Sequence, residues 1–280
     1  MIGIVWKRLY RDYLMPDRMG DYERLLRLAR DMAYRGVPVG AFRQLVGEGL
    51  GDDPAGRRLL VLRHDIDSSP ELCLAFAAIE ERMGARGSYF FRLSTIDVGI
   101  MRRLAEAGHE VGYHYEELAT VAKERGANRA DRVDSLIPAA RDRFAANLAA
   151  LRRRTGLPLR VAASHGDFAN RALGVTNVVV LADPSFRKAQ GIDVEAYDAD
   201  LMEPVAVRVA DTYHPTFWKP QDPVPAFRQG AGPCYILTHP RQWGRQPLCN
   251  ARDDLMRLVE GALFTLGVPR AAGSRAYCAE

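Results

Sequence analysis

The sequence predicts an α/β fold built on a parallel sheet or barrel. Short apolar runs alternate several times with longer amphipathic stretches, which is the pattern of successive strand–helix units. One run, Leu59–Leu62, is continuously apolar, as expected of a parallel strand that is buried on both faces. No linker, low-complexity tract or internal repeat divides the 280 residues, so we predict one domain over residues 1–280.

The predicted elements follow one another in chain order. Tyr22–Arg35 places its leucines on one helical stripe and ends before Gly36. The strand that begins at Leu59 leads into a helix that Ser69 caps and that ends near Met83. Further strands are predicted at Gly87–Leu93, His109–Tyr115 and Leu159–Gly166, and two more begin at Val205 and at Cys234. An apolar segment lies at 176–183. Further helices are predicted at Ile100–Ala107, Arg132–Arg154 and Ala251–Leu266. The stretch Asp211–Pro233 carries five prolines and no periodicity, and it predicts a loop laid over one end of the barrel.

Composition restricts the function classes. Hydrophobic residues make up 48% of the chain and charged residues 26%, which excludes a disordered, collagen-like or disulfide-built protein. The net charge of +4 comes from arginines spread along the whole chain, so we predict no nucleic-acid partner. The four cysteines form no CxxC pair, and no stretch is apolar for the roughly 18 residues of a membrane span. We therefore expect a cytoplasmic protein with reduced thiols and no membrane span.

Four predicted strands end in residues that can bind a metal or transfer a proton. These ends carry, in chain order, Asp65 with Asp67, His114 with Glu116, His165, and His239. Side chains two apart on a strand share a face, and the carboxyl ends of parallel strands meet at one edge of a sheet or barrel. If the four strands line one barrel, these groups converge on one small volume. Two carboxylates and two or three histidines would then surround a divalent zinc, iron, manganese or cobalt ion.

Each of these residues also has a structural interpretation. A lone Asp at a strand end is usually a cap or a turn former, and Asp67 could cap the helix that follows it. A lone His is more often structural, and we assign His109 to that class because Gly108 stops a helix just before it. For His214, in the proline-rich stretch, both interpretations stay open. Four strand ends with such residues are much less expected by chance than any one of them, which favours a functional site.

In these residues the chain resembles the NodB-homology polysaccharide deacetylases, the group of carbohydrate esterase family 4. The resemblance is closer to a divergent cytoplasmic branch associated with surface-polysaccharide biosynthesis, in which an R-H-D-x-D motif replaces the commoner F-D-D-G. The matching pieces are LRHDIDSSPELCLAFAAIEERMGARGSYFFRL, GHEVGYHYEEL, SHGDF and LTHPRQW. They fall in the order of the family and span a core from Leu59 to Trp243.

The resemblance implies a fold and a set of roles. The implied fold is a distorted (β/α) barrel of about seven strands, here with helical insertions. Asp65 would be the catalytic base and His239 the catalytic acid. Asp67 and His114 would bind a divalent metal ion, with zinc as the first choice.

The chain departs from the family pattern at two places. Where the family commonly has a second ligand histidine, four residues after the first, this sequence has Leu118. A third ligand must then come from elsewhere, with His165 as our first choice and Glu116 as the second. The arginine motif of the family on the following strand is also replaced, by Ser164, His165 and Gly166.

Aromatic and arginine residues beside the motifs are candidate substrate contacts. Tyr115, Trp218 and Trp243 are candidates to stack on a sugar ring, and the alternative that they are packing residues stays open. Arg63 and Arg241 flank two motifs and are predicted to bind a phosphate or carboxylate, such as the diphosphate of an activated sugar.

The preferred hypothesis is a metal-dependent hydrolase that removes an acetyl group from an N- or O-acetylated sugar in glycan assembly. An acetylated sugar or an activated sugar would then be its partner. Two alternatives stay open. One is a catalytically inactive barrel that binds a carbohydrate or a partner enzyme, and the other is a metal amidohydrolase that acts on a small non-sugar amide.

Overall fold

The computed structural model describes residues 6–7, 9–50, 54–212 and 215–269, and within them nine strands form one sheet. The strands are β1 (Arg35–Val37), β2 (Leu59–Ile66), β3 (Ser88–Phe91), β4 (Glu110–Tyr115), β5 (Val161–Ser164), β6 (Val194–Glu195), β7 (Val207–Asp211), β8 (Trp218–Lys219) and β9 (Cys234–Thr238). The α-helices are α1 (Met19–Asp31), α2 (Val39–Glu48), α3 (Pro54–Arg57), α4 (Cys73–Arg82), α5 (Val98–Glu106), α6 (Glu117–Arg125), α7 (Val133–Thr155), α8 (Phe168–Leu173), α9 (Pro184–Ala189), α10 (Ala199–Met202), α11 (Pro223–Gln229) and α12 (Pro247–Thr265). Short 3-10 turns and one π-helical turn, Tyr10–Leu14, complete the described elements.

The sheet is parallel over most of its width and curls into a half-barrel. Its strands run in the order β6-β5-β4-β3-β2-β9-β7-β8, and of the described pairings β7–β8 alone is antiparallel. Strand β9 pairs with one edge of β2, while β1 and β3 share the other edge. The predicted α/β class with a parallel sheet is confirmed. No pairing joins β6 to β8 in the described chain, so the sheet is an open half-barrel, which is consistent with the predicted barrel-like α/β fold.

Strand β2 is buried on both faces, as its continuous apolar run predicts. One face carries Leu60 and Leu62 into the larger core, which α1, α4 and α7 cover. The other face, here called the inner face, carries Leu59 and Val61 into a smaller core that α2 covers. Because side chains alternate along a strand, Arg63 and Asp65 lie on this inner face, beyond the smaller core. The carboxyl-terminal half of the inner face is therefore where the polar groups collect.

Two predicted helix boundaries are wrong. Helix α1 ends at Asp31, because Ala33 takes a positive φ of 61° and Arg35 then pairs with Leu59 as part of β1. The side chain of Ser69 caps no helix, since Ser69 itself has a left-handed backbone with φ at 53°. A 3-10 turn, Pro70–Leu72, precedes α4 instead.

Other differences lie in the second half of the chain. The proline-rich stretch Asp211–Pro233 holds β8 and α11 in addition to loop, since Asp222 caps α11 by accepting a hydrogen bond from the backbone N–H of Val224. The apolar segment 176–183 contains a 3-10 turn, Asn177–Val180, and no strand. Among the remaining elements, those that no sequence pattern predicted are α2, α3, α6, α8, α9, α10 and β6.

Further predictions concern the membrane and the thiols. None of the described helices is both long and apolar enough to cross a membrane. Cys73, Cys234 and Cys249 are free thiols, of which the first two are buried. Cys278 and His214 lie outside the described residues.

Candidate functional site

The predicted convergence of polar residues at the carboxyl edge of the sheet is present. Asp65 and His114 lie on β2 and β4, and His165 and His239 directly follow β5 and β9. These strands are neighbours in the sheet or separated by one strand, so their carboxyl ends open on the same side. The inner face therefore carries a group of carboxylates and imidazoles drawn from four distant stretches of sequence.

Three side chains within this group have their ligand atoms in mutual reach. Asp67 Oδ1 lies 3.1 Å from His165 Nδ1 and 3.5 Å from His114 Nε2. The two imidazole nitrogens lie 3.2 Å apart. All three atoms fall within 4.8 Å of one another, so Asp67, His114 and His165 could hold one metal ion.

The protonation of the two histidines suits ligation. His114 Nδ1 donates a hydrogen bond of 2.9 Å to the backbone oxygen of Ala163, which leaves the lone pair of Nε2 for a ligand. Burial, reinforced by the positive charge of Arg92, lowers the pKa of His165. Because a metal ligand must be a neutral imidazole, the lowered pKa of His165 favours cation binding near neutral pH.

Asp67 supplies the strongest sign of a missing partner. Its Oδ1 atom is buried and makes no hydrogen bond to any described residue. Burial alone raises the pKa of this carboxyl, but the imidazoles of His165 and His114 outweigh burial and hold the pKa well below its usual range. Since buried carboxylate oxygens are nearly always satisfied, a buried and unsatisfied carboxylate oxygen beside two imidazole nitrogens fits a cation site.

The structure also bears on the third ligand. Glu116, the second choice of the sequence analysis, accepts a hydrogen bond of 2.6 Å from the buried guanidinium of Arg92. His165 stands in the group with Asp67 and His114, whereas Glu116 does not. A second possible metal-binding group joins Glu116, His165 and Asp167, but Lys123 already pairs with Asp167 at 2.8 Å. The group with Asp67 is therefore the better metal site.

Asp65 is held by an arginine that sequence reasoning assigned to the substrate. Arg63 Nε and Nη2 each donate a 2.8 Å hydrogen bond to one oxygen of Asp65. Burial raises the pKa of Asp65, but the charges of Arg63 and His114 outweigh burial and lower it. Arg63 is fully buried and also donates to the hydroxyl of Tyr197 at 3.1 Å, so it orients the carboxylate and is not open to a ligand. The two residues share a face at a spacing of two, which is the signal that could have predicted this pair.

His239 forms a second charged pair at the site. Its Nδ1 lies 2.7 Å from Oδ1 of Asp211, and its backbone N–H donates a 2.7 Å hydrogen bond to Oδ2 of the same carboxylate. Burial lowers the pKa of His239, but the Asp211 carboxylate outweighs burial and the pKa rises to about 9. The ring is thus protonated at neutral pH. Asp211 ends β7, so it is a fifth strand end with a polar residue, and sequence reasoning did not single it out.

Trp243 supports this pair and is not a surface aromatic. Its indole N–H donates a 2.8 Å hydrogen bond to Asp211, and Gln242 donates a further one of 3.1 Å. Trp243 is buried and packs its ring against Trp218 with centroids 5.6 Å apart. Both tryptophans therefore belong to the support of the His239 pair.

The remaining predicted substrate contacts are also buried. Tyr115 faces the larger core and donates to Glu195 at 3.3 Å. Arg241 is 8% exposed and donates a 2.9 Å hydrogen bond to Asp254. All five residues predicted to contact substrate are buried in this structure: Arg63, Tyr115, Trp218, Arg241 and Trp243. Charged and aromatic side chains beside a motif can pack into the protein as readily as they can project into a cleft.

On the opposite face of β2 lies a polar network that has no access to the site. His64 bridges Thr238 and Glu80, with 2.6 Å from its Nδ1 to the threonine hydroxyl and 2.6 Å from its Nε2 to the carboxylate. Tyr22 also donates to Glu80 at 2.6 Å. His109 lies against the same carboxylate at 3.2 Å, in agreement with its structural interpretation. This network anchors β2 and β9, the strands that carry Asp65 and His239, to the helical layer.

Comparison of the chain with protein-family models, with curated proteins and with solved structures finds no match in any of the three.

Proposed function

We propose that the chain is a metal-dependent hydrolase that removes an acetyl group from an N- or O-acetylated sugar. The observation that carries the proposal is the buried Oδ1 of Asp67, which faces one nitrogen of His114 and one of His165 without a hydrogen bond from any described residue. A divalent cation would satisfy these three atoms together. Two imidazoles and one carboxylate with an open position are typical of hydrolytic zinc sites, so zinc is the proposed metal.

The metal ligands and the catalytic base act together in the first half of the reaction, the activation of the attacking water. A divalent cation held by Asp67, His114 and His165 would supply Lewis acidity, lowering the pKa of water and polarising the acyl oxygen. Asp65 is ionised and oriented by two hydrogen bonds from Arg63, and its Oδ2 lies 3.5 Å from His114 Nε2. It therefore stands beside the ligands with a fixed direction and accepts the proton of the attacking water.

His239 serves the second half of the reaction. The water oxygen bonds to the acyl carbon, and the carbon–nitrogen or carbon–oxygen bond to the sugar breaks. His239, protonated through its pairing with Asp211, gives its proton to the leaving amine or alkoxide. Acetate and a free amino or hydroxyl group result. The charge of His239 also lowers the pKa of both Asp65 and Asp67, which supports its position beside them.

The acid–base set favours turnover over a pure binding module. A carbohydrate-binding barrel needs neither an ionised carboxylate clamped by a buried arginine nor a protonated histidine held by a carboxylate. An amidohydrolase of small non-sugar amides needs the same set, and the choice between these substrates rests on the motif resemblance.

Metal content and acetate release test the proposal together. We would compare the full chain with His114→Ala and with a control, Asp193→Asn, which alters an exposed carboxylate paired with Arg160. Elemental analysis should find one divalent metal per wild-type and control chain, and metal affinity lowered at least about 10-fold in His114→Ala. Acetate release from acetylated sugars should be present in the wild-type and control chains and should fall in His114→Ala with the loss of metal.

The outcomes distinguish the deacetylase from the binding module and from the amidohydrolase. Absence of metal from the wild-type chain would refute the site. Metal without acetate release from any substrate would favour the binding module. Release from a small acetamide but from no N- or O-acetylated sugar would favour the amidohydrolase.

A further inference from the structure

A large cavity opens beside the proposed metal site. It has a volume of about 1120 Å³ and lies between the start of the described chain, the β5–α8 connection and α12. His165 and Gly166 form the wall nearest the ligands. Apolar side chains from α12 and its end, including Leu258, Phe264 and Leu266, form much of the opposite wall. A substrate whose acetyl group reaches His165 would place its remaining parts in this cavity.

The carboxylates in the cavity wall are already neutralised. Asp167 accepts a 2.8 Å hydrogen bond from the buried amine of Lys123. Asp254 accepts from Arg241 at 2.9 Å and from the hydroxyl of Tyr13 at 3.1 Å. Neither carboxylate is therefore an uncompensated negative charge.

The two arginines of the wall have no such partners. Arg171 and Arg257 line the cavity, and neither guanidinium forms a hydrogen bond or ion pair with another described residue. Arg257 is half-buried, and burial lowers the pKa of its guanidinium. Asp67 and Asp253 attract this charge, but Arg92 and Arg241 repel it. Since an arginine stays protonated in proteins, the wall carries a partly desolvated positive charge that no described carboxylate contacts directly.

An anion bound from solution would compensate the positive charge of this wall. Guanidinium groups bind phosphate by paired, charge-assisted hydrogen bonds, which are strongest where water is partly excluded. Arg63 and Arg241, which sequence analysis assigned to such an anion, are instead committed to Asp65 and Asp254. Arg257 on α12 is therefore the better candidate for binding such an anion.

We propose that Arg257, assisted by Arg171, binds a phosphate group of the acetylated sugar, so that the substrate is a sugar phosphate ester. This inference rests on the proposed function and names the substrate class of the same site. The apolar wall would contact whatever the phosphate carries beyond the sugar, either a nucleoside or an aliphatic chain.

Binding and turnover are measured on the full chain with Arg257→Ala, Arg257→Lys and a control, Arg252→Ala. Arg252 is exposed on the same helix and does not line the cavity. Calorimetric titration with pyrophosphate should give a Kd about 10-fold higher in Arg257→Ala than in the control, with partial rescue in Arg257→Lys. Because phosphates also bind metals, the titration is repeated after chelation. An equal Kd for Arg257→Ala and Arg252→Ala would overturn the proposal.

Kinetics then identify the ester. Acetate release is compared for a neutral methyl glycoside of N-acetylglucosamine, a nucleoside diphosphate N-acetyl sugar and an alkyl phosphate of the same sugar. In Arg257→Ala, KM should rise about 10-fold for the preferred phosphate ester, with little change in kcat and no change for the neutral glycoside. Equal KM values for all three substrates in the wild-type chain would overturn the subsite and leave the deacetylase. Weakened pyrophosphate binding without acetate release from any substrate would keep the subsite and refute the deacetylase.

Discussion

The pairing of His239 with Asp211 should determine the alkaline limit of activity, and Asp211→Asn tests this. The substitution keeps the size of the side chain and removes its charge. Asp211 accepts hydrogen bonds from the His239 backbone, Gln242 and Trp243 and holds the imidazole at 2.7 Å. An amide in its place offers one oxygen where the carboxylate offers two.

The structure provides the size of the effect. His239 has a pKa of about 9 against an ordinary 6.5, although burial alone would lower it. This difference corresponds to about 3 kcal/mol in favour of the protonated ring. Without the Asp211 charge, burial is opposed only by the more weakly acting Asp65 and Asp67, so we expect the pKa to fall well below its wild-type value.

The same pairing makes stability depend on pH. A histidine whose folded pKa exceeds its unfolded one stabilises the protein fully below pH 6.5. That contribution, about 3 kcal/mol, is lost as pH rises through about 9. Asp211→Asn should abolish this part of the pH dependence.

The assay is a proton NMR titration of the His239 ring in metal-free protein, with urea unfolding at pH 6.5 and 9.5. Gln242→Ala is the matched control, because it removes one donor to Asp211 and leaves the carboxylate charge. The control should keep the raised pKa. An unchanged His239 titration in Asp211→Asn would refute the reasoning, as would an alkaline limb of acetate release that stays at the same pH.

Two further predictions concern buried charges. Burial raises the pKa of Glu117 from 4.5 to about 7. The protonated carboxyl therefore contributes its full share to the unfolding free energy below pH 4.5, and this contribution is lost as pH rises through 7. Glu117→Gln should therefore flatten the unfolding free energy between pH 5 and 8, which otherwise falls by about 3 kcal/mol; urea titrations that fall equally in both proteins would contradict this. Arg63→Ala leaves the Asp65 carboxylate buried without its partner and should lower the unfolding free energy at pH 7 by about 3–5 kcal/mol, measured by urea denaturation. A loss below about 1 kcal/mol would show that Asp65 ionises without Arg63.

Local patterns were enough to predict the sheet and the edge that carries the site. The apolar run of β2 and the polar residues after it are contiguous in sequence, and parallel topology brings strand ends together whatever the length of the connections. Asp67, His114 and His165 could therefore be grouped without knowing a single distance.

Partnerships between distant residues could not be predicted. Asp211 and His239 meet because β7 and β9 are neighbours, and no local signal in either strand encodes that order. The end of α1 is a similar case, since Arg35 joins a strand only because β2 offers a free edge to it. Burial of Trp218 and Trp243 also follows from this tertiary arrangement and not from their position beside a motif.

The alternation along β2 limits how this chain can change in evolution. Its odd-numbered residues Arg63 and Asp65 belong to the inner face with the candidate site, and the intervening His64 ties the strand to Glu80 on the helical side. Deletion or insertion of one residue inside Leu59–Ile66 would exchange these two sets, because the side-chain period is two. Point substitutions can diversify either side separately, whereas length variation within this segment should be absent from functional variants and confined to the connections around it.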